Sequence, residues 1–117
     1  MKLPFNISNL SQWMAEAALK HRAIFAEQVQ RTVSERERVL SALQQLPGIE
    51  VFPSVTNFLL FRTGASPDEL HARLYQRGVS LRQVAALSPL LSGCLRASIG
   101  APEENDLFLE QLKQCLE

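Results

Sequence analysis

Leu95-Arg96-Ala97-Ser98-Ile99-Gly100-Ala101-Pro102-Glu103-Glu104-Asn105 reads as a strand that turns directly into a capped helix. Side chains alternate across a strand, so Leu95, Ala97 and Ile99 share the face turned to the core, while Cys94, Arg96 and Ser98 share the other. Pro102 suits the first helical position, where its missing N–H costs nothing. Leu107, Phe108, Leu109, Leu112 and Leu116 supply the apolar side of that helix. An arginine held out of a strand on the non-core face is a receptor for a carboxylate or phosphate, because its planar fork donates two parallel hydrogen bonds.

Upstream, Val79-Ser80-Leu81-Arg82-Gln83-Val84 reads as another strand, with Val79 and Leu81 facing the core and Ser80, Arg82 and Val84 facing away. If this strand neighbours the next one, Arg82 and Arg96 approach each other on the non-core face. Two guanidinium groups so placed repel unless an anion sits between them. The alternative is that each arginine pairs with a nearby Glu or Asp. The intervening loop, Ala85-Ala86-Leu87-Ser88-Pro89-Leu90-Leu91-Ser92, is unusually apolar and is expected to pack on its own domain, cover a ligand or rest on a neighbour.

Residues 8–46 read as helix with almost no interruption, Val29, Val33, Arg36, Leu40 and Leu43 falling on one face with Arg36 as the polar exception. Pro47-Gly48 ends the run. A helix of about 38 residues is ~57 Å long, against a radius of gyration near ~13 Å for a domain of this size. The segment therefore breaks around Lys20–Ala23 or overhangs the domain. Ile49-Glu50-Val51-Phe52 is a short strand, Thr56-Asn57-Phe58-Leu59-Leu60-Phe61 a second, and Ser66-Pro67-Asp68-Glu69 a capping box opening a helix that ends at Gly78. The order α-α-β-β-α-β-β-α predicts an α/β fold of the α+β two-layer kind: a mostly antiparallel four-stranded sheet with helices on one face, the other face being more polar and open.

The chain has 117 residues, long enough for one domain with a real core. Twelve basic and twelve acidic side chains cancel, so no basic field attracts nucleic acid or an anionic membrane. No apolar run approaches the roughly 20 residues needed to cross a bilayer, and Met1–Asn6 lacks the apolar core of a signal peptide. Two cysteines, Cys94 and Cys115, make no disulfide framework, and a reducing cytoplasm is the expected location.

Other candidates carry less. His21 and His71 fall on separate helices with no third ligand at metal spacing and read as surface or boundary residues. Cys115 reads as core filler. Cys94 shares the face of Arg96, but no histidine partners it for nucleophilic catalysis. Trp13 reads as a packing residue. Glu103 and Glu104 complement the dipole of the last helix. No Gly-rich phosphate loop, Ser-His-Asp set or CxxC motif is present.

Leu3-Pro4-Phe5-Asn6-Ile7-Ser8 with Leu10-Ser11-Gln12, Thr56-Asn57-Phe58-Leu59-Leu60, Gly78-Val79-Ser80-Leu81-Arg82, and Leu95–Gly100 with Pro102–Asn105, in that order and spacing, resemble the C-terminal small domain of fold-type I aminotransferases. The nearest likeness is to the histidinol-phosphate aminotransferase group, with its threonine-phosphate decarboxylase-like members. The resemblance implies that residues 1–117 are the small domain, with 1–46 its N-terminal helical segment and the large cofactor-binding domain absent. It implies that Arg96 binds the substrate carboxylate or phosphate and that Arg82 helps hold a phosphate. The parent would use pyridoxal phosphate as electron sink and act as a homodimer in amino-acid biosynthesis, taking a small anionic substrate. The Schiff-base lysine of that family has no counterpart in this chain, since Lys2, Lys20 and Lys113 lie in no matching context. The fragment alone is therefore expected to hold no cofactor and to be inactive. Ala101 stands where the family commonly has Thr or Ser, and Trp13 is bulkier than the usual residue. Two other readings stay open: a stand-alone module that binds a small anionic metabolite, or an assembly domain acting through the long helix and apolar loop. The amino donor and the nature of the anion are left undecided.

Overall fold

Ser8 has an extended backbone, and its hydroxyl accepts a hydrogen bond from the Ser11 N–H at 3.1 Å, capping α1 (Asn9–Lys20). His21 then leaves helical geometry, its N–H shared between the carbonyls of Ala17 and Ala18, and α2 (Arg22–Gln44) begins. The expected helical run from residue 8 to 46 is thus two helices, divided inside the window Lys20–Ala23. The computed structural model describes residues 7–117, so Lys2, the signal-peptide reading and the Leu3–Asn6 part of the resemblance lie outside the described residues. The chain forms two units, one ending at Arg31 and the other spanning Thr32–Glu117.

In the first unit, α1 buries no side chain, and Leu10, Trp13, Met14, Leu19, Ile24, Phe25 and Val29 are all exposed. Trp13 was expected to be packed; at 65% exposure it is a surface residue of this unit.

In the second unit, the C-terminal half of α2 buries Val39 and Leu43. There follow β1 (Ile49–Val51), β2 (Phe58–Thr63), α3 (Pro67–Gln76), β3 (Arg82–Gln83), β4 (Cys94–Ser98) and α4 (Pro102–Leu116). The sheet order is β1-β2-β4-β3 with every neighbour antiparallel. Leu59 and Phe61 of β2, Leu95 and Ala97 of β4, and Val79 and Leu81 ahead of β3 form one core with Val39 and Leu43 of α2, Leu70 and Leu74 of α3, and Phe108, Leu112 and Cys115 of α4. The helices therefore cover one face, giving the two-layer arrangement expected.

Two elements differ from the sequence reading. The strand expected over Val79–Val84 shrinks to Arg82–Gln83. Gly78 has φ +84° and closes α3: its N–H bonds the Tyr75 carbonyl at 3.1 Å, and the Val79 N–H bonds the Leu74 carbonyl at 2.9 Å. This is a Schellman closure, which commits the Val79 N–H to the helix end. His71 Nε2 lies 3.0 Å from the Leu81 carbonyl, engaging that group as well. The second difference is a shift of β2 two residues downstream, to Phe58–Thr63. Ser54 and Thr56 bond the Phe58 carbonyl and cap each other, making a turn of the residues expected to start the strand. The capping box at α3 has one arm: Ser66 Oγ accepts from the Glu69 N–H at 3.4 Å.

Candidate anion-binding site

β4 is central in the sheet, between β2 and β3, and its pairing decides what surrounds Arg96. Arg96 lies opposite Leu60 of β2 on one side and opposite Arg82 of β3 on the other. Directly opposed residues share a face with Cβ atoms about 5 Å apart, and the face is the one turned away from Leu95 and Ala97. Phe58, two residues before Leu60, completes the surroundings: its ring centroid is 4.6 Å from the Arg96 guanidinium carbon. The guanidinium carbon lies over that ring, so the ring covers one side of the group and leaves its outer N–H donors for any further partner.

Arg96 is half-buried and its Nε is buried with no hydrogen-bond partner. Arg82 is exposed, and among the described residues neither arginine has an acidic partner. Arg62, on the same face of β2, shows what an internally satisfied arginine looks like in this sheet. It pairs with Glu50 at 3.0 Å, donates to the carbonyls of Leu90 and Ser92 at 3.2 and 3.3 Å, and lies 5.5 Å from the Phe52 ring. A buried donor left unsatisfied costs about 1–3 kcal/mol. Arg96 carries that cost, and an anion between it and Arg82 would offset the repulsion of two like charges.

The loop after β3 forms two short 3₁₀ turns, Ala85–Leu87 and Pro89–Leu91. Leu87 and Leu90 are exposed, and Arg62 ties the second turn through its carbonyls. The non-core face is less polar and less open than expected, because Val84 and Cys94 on it are buried and Phe58 and Leu60 are half-buried. The Cys94 thiol is directed to the Ser92 carbonyl at 3.9 Å.

Behind the site, the turn from β4 to α4 is fixed by a group that sequence reasoning missed. Asn105, 3% exposed, accepts from the Gly100 N–H at 2.9 Å and donates to the Gly100 carbonyl at 3.0 Å and to Glu35 Oε2 at 2.8 Å. Arg38 grips Glu35 with two bonds of 2.9 and 2.8 Å and reaches Asp106 at 2.7 Å. The Arg38 hydrogen bond, followed by that from Asn105, lowers the Glu35 pKa below the usual 4.5. The hydrogen bonds to Glu35 and then Asp106 raise that of Arg38. A signal was present in the sequence: Asn105 falls on the stripe of Phe108, Leu112 and Cys115, the buried side of α4.

His21 is exposed in the first unit, and His71 stacks on Tyr75 at 6.5 Å between ring centroids. Among the described residues no group of three or more His, Cys, Asp and Glu is arranged to hold a metal, and no helix is long and apolar enough to cross a membrane. Lys20 is exposed on α1 of the first unit, and in the second unit Lys113 is exposed on α4, in the helix layer and not on the face of Arg82 and Arg96.

Known proteins match this arrangement over nearly its whole length. The sequence is 43% identical over 117 residues to histidinol-phosphate aminotransferase of Aquifex aeolicus, covering 99% of this chain and 33% of that protein. It is 39% identical over 109 residues to the enzyme of the same name from Ruminiclostridium cellulolyticum, covering 93% and 30%. The chain thus spans about a third of the length of the curated relatives it matches. Among solved structures, the histidinol-phosphate aminotransferase of Clostridium acetobutylicum superposes with a TM-score of 0.88 at 26% identity, covering 98% of this chain and 35% of that one. The L-threonine-O-3-phosphate decarboxylase of Porphyromonas gingivalis gives 0.79 at 27% identity, covering 94% and 34%. Residues 1–112 match the family described as aminotransferase class I and II, and the chain belongs to that family.

Proposed function

We propose that this chain is the substrate-gripping small domain of an aminotransferase acting on a phosphorylated amine or amino acid of the histidinol-phosphate kind, with Arg96 and Arg82 holding its anionic group. The observation that carries the reading is the buried, partnerless Arg96 Nε with Arg82 as its cross-strand neighbour. Two cations favour a phosphate, whose three oxygens can engage both forks, and a carboxylate fits the same edge with one fork. The names of the most similar relatives point the same way.

The family implies pyridoxal phosphate in the parent enzyme, where its ring supplies the electron sink. The described residues of the second unit do not fit that cofactor: its one lysine, Lys113, lies on α4 and not on the arginine face, and no cluster of this unit could hold its phosphate apart from Arg82 and Arg96, which take the anionic group of the substrate. The role of this chain is then to bind and orient the substrate and to shield its anionic end from water. Alone it turns over no substrate. The exposed apolar side chains of α1 and of the first part of α2 support contact with the remainder of an enzyme about three times as long, assembled as a homodimer. Two free, buried cysteines suit a reducing compartment, the cytoplasm.

The test is a titration of the ¹⁵N-labelled chain with inorganic phosphate, following the arginine Nε–H signals. Those of Arg96 and Arg82 are expected to shift together and saturate, and Arg96→Gln is expected to weaken binding at least tenfold. Signals that stay unmoved, or shifts that survive Arg96→Gln, overturn the reading. Transamination by the isolated chain after addition of pyridoxal phosphate would overturn its non-catalytic part.

A further inference from the structure

Arg96 is useful only if its edge is held in one place, and most of what could hold it lies on β4 itself. The strand ends at Ser98, two residues after Arg96, and a turn of three residues leads into α4. Strand ends fray unless their backbone groups are tied down. In this sheet the Ile99 N–H bonds the Asn57 carbonyl at 2.8 Å, which ties the exit of β4 to the residue just before Phe58. The next residue in the chain, Gly100, is held at both its N–H and its C=O by one buried side chain, Asn105. The remaining N–H of that amide reaches across to Glu35 on α2. Glu35 is itself gripped by Arg38, which also donates to the Pro102 carbonyl at 3.5 Å and to Asp106 on α4.

One amide thus joins the exit of β4, the start of α4 and the middle of α2. Only a group with both an acceptor and two donors can make these three bonds. Asn supplies them at this position, whereas Asp or Leu would not. The bracket lies four residues along the chain from Arg96 and is linked through Asn57 to the ring on which Arg96 rests.

We propose that Asn105 is a positioning residue for the anion site: by clasping Gly100 and tying it to Glu35, it fixes the end of β4 and with it the placement of Arg96 over Phe58. This rests on the anion-binding reading for its consequence, though not for its geometry. It also gives the buried stripe of α4 a polar member whose task is to transmit the position of α2 to the site.

The experiment compares the wild-type chain with Asn105→Ala, Asn105→Asp and Glu35→Ala. Three properties are measured: thermal midpoint, ¹⁵N relaxation and shift of the Arg96 Nε–H signal without ligand, and inorganic phosphate affinity. Asn105→Asp keeps the acceptor for the Gly100 N–H and serves if Asn105→Ala does not fold. Both Asn105 variants are expected to move the ligand-free Arg96 signal toward that of an exposed arginine and to weaken phosphate binding about tenfold. Glu35→Ala, which leaves the Gly100 clasp in place, is expected to show a smaller change of the same sign. An Asn105 variant with a lowered thermal midpoint but an unchanged Arg96 signal refutes the proposal, because a merely structural residue would behave so. If the wild-type chain takes up no phosphate, the anion reading fails, and the ligand-free signal still decides whether Asn105 holds Arg96.

Discussion

Replacing Arg96 with methionine tests the anion site through stability. In the free chain, Arg96 keeps a buried Nε without a partner, a cost of about 1–3 kcal/mol. Against this stands its stacking on Phe58 at 4.6 Å, about 0.5–1 kcal/mol for a half-buried cation on a phenyl ring. Methionine has an unbranched stem of similar reach and a sulfur that also packs well on an aromatic edge, so most of the apolar contact survives. The substitution also removes the like-charge neighbour of Arg82. The sum is a net stabilisation of about 1 kcal/mol, read as a higher urea midpoint at unchanged slope. Phosphate at about ten times its dissociation constant adds about 1.4 kcal/mol to the wild-type chain and nothing to the variant, so the order of stabilities reverses when ligand is added. A variant that loses 1 kcal/mol or more without phosphate, or gains as much as the wild type from it, refutes the reasoning. The first result would mean that Arg96 is a structural residue, satisfied as it stands.

Ala101 sits at the N-cap of α4 with φ −63° and ψ 156° and makes no side-chain cap bond. Ala101→Ser is expected to add about 1 kcal/mol by giving the first-turn N–H groups an acceptor and completing the box whose other arm, Glu104 accepting from the Ala101 N–H at 3.0 Å, is already in place, measured by urea unfolding; no gain would mean that water satisfies those N–H groups equally well. Glu35 has its pKa lowered from 4.5 in the folded chain, so it contributes stability that is complete above the unfolded value and is lost as pH falls through the folded one. Glu35→Gln is expected to flatten the acid limb of the stability-against-pH curve below about pH 4.5, and an unchanged limb would show that the Arg38 and Asn105 bonds to Glu35 do not persist in solution.

The fold was legible where periodicity and alternation are strong. Leu95, Ala97 and Leu59 announce two central strands, and Phe108, Leu112 and Cys115 announce the helix behind them, because each pattern has a single geometric reading. The third strand was overread: Val79 and Leu81 alternate as strand residues do, yet the Val79 N–H completes the closure of α3. Alternation reports which way side chains face and is silent about where the backbone bonds go. The adjacency of Arg82 and Arg96 followed from the strand faces once the two strands were taken as neighbours. The sequence did not show that Phe58 would lie under Arg96, since that depends on the register between β2 and β4. Asn105 was passed over because a lone polar residue on an apolar stripe looks like a helix-start residue until its partner, 70 positions upstream, is placed beside it.

The sheet has an order of assembly written into it. β4 is the last strand in the chain and lies between two earlier ones, pairing Phe58 with Ser98 and Arg82 with Arg96. Until residue 98 has left the ribosome, β2 has only the three-residue β1 beside it and β3 has nothing to pair with. Unpaired edges of this kind attract other chains. Nascent copies halted before Cys94 should therefore be sticky and rely on chaperones. Arg96 arrives on the same strand that seals those edges, so no half-made copy can set it beside Arg82 and over Phe58.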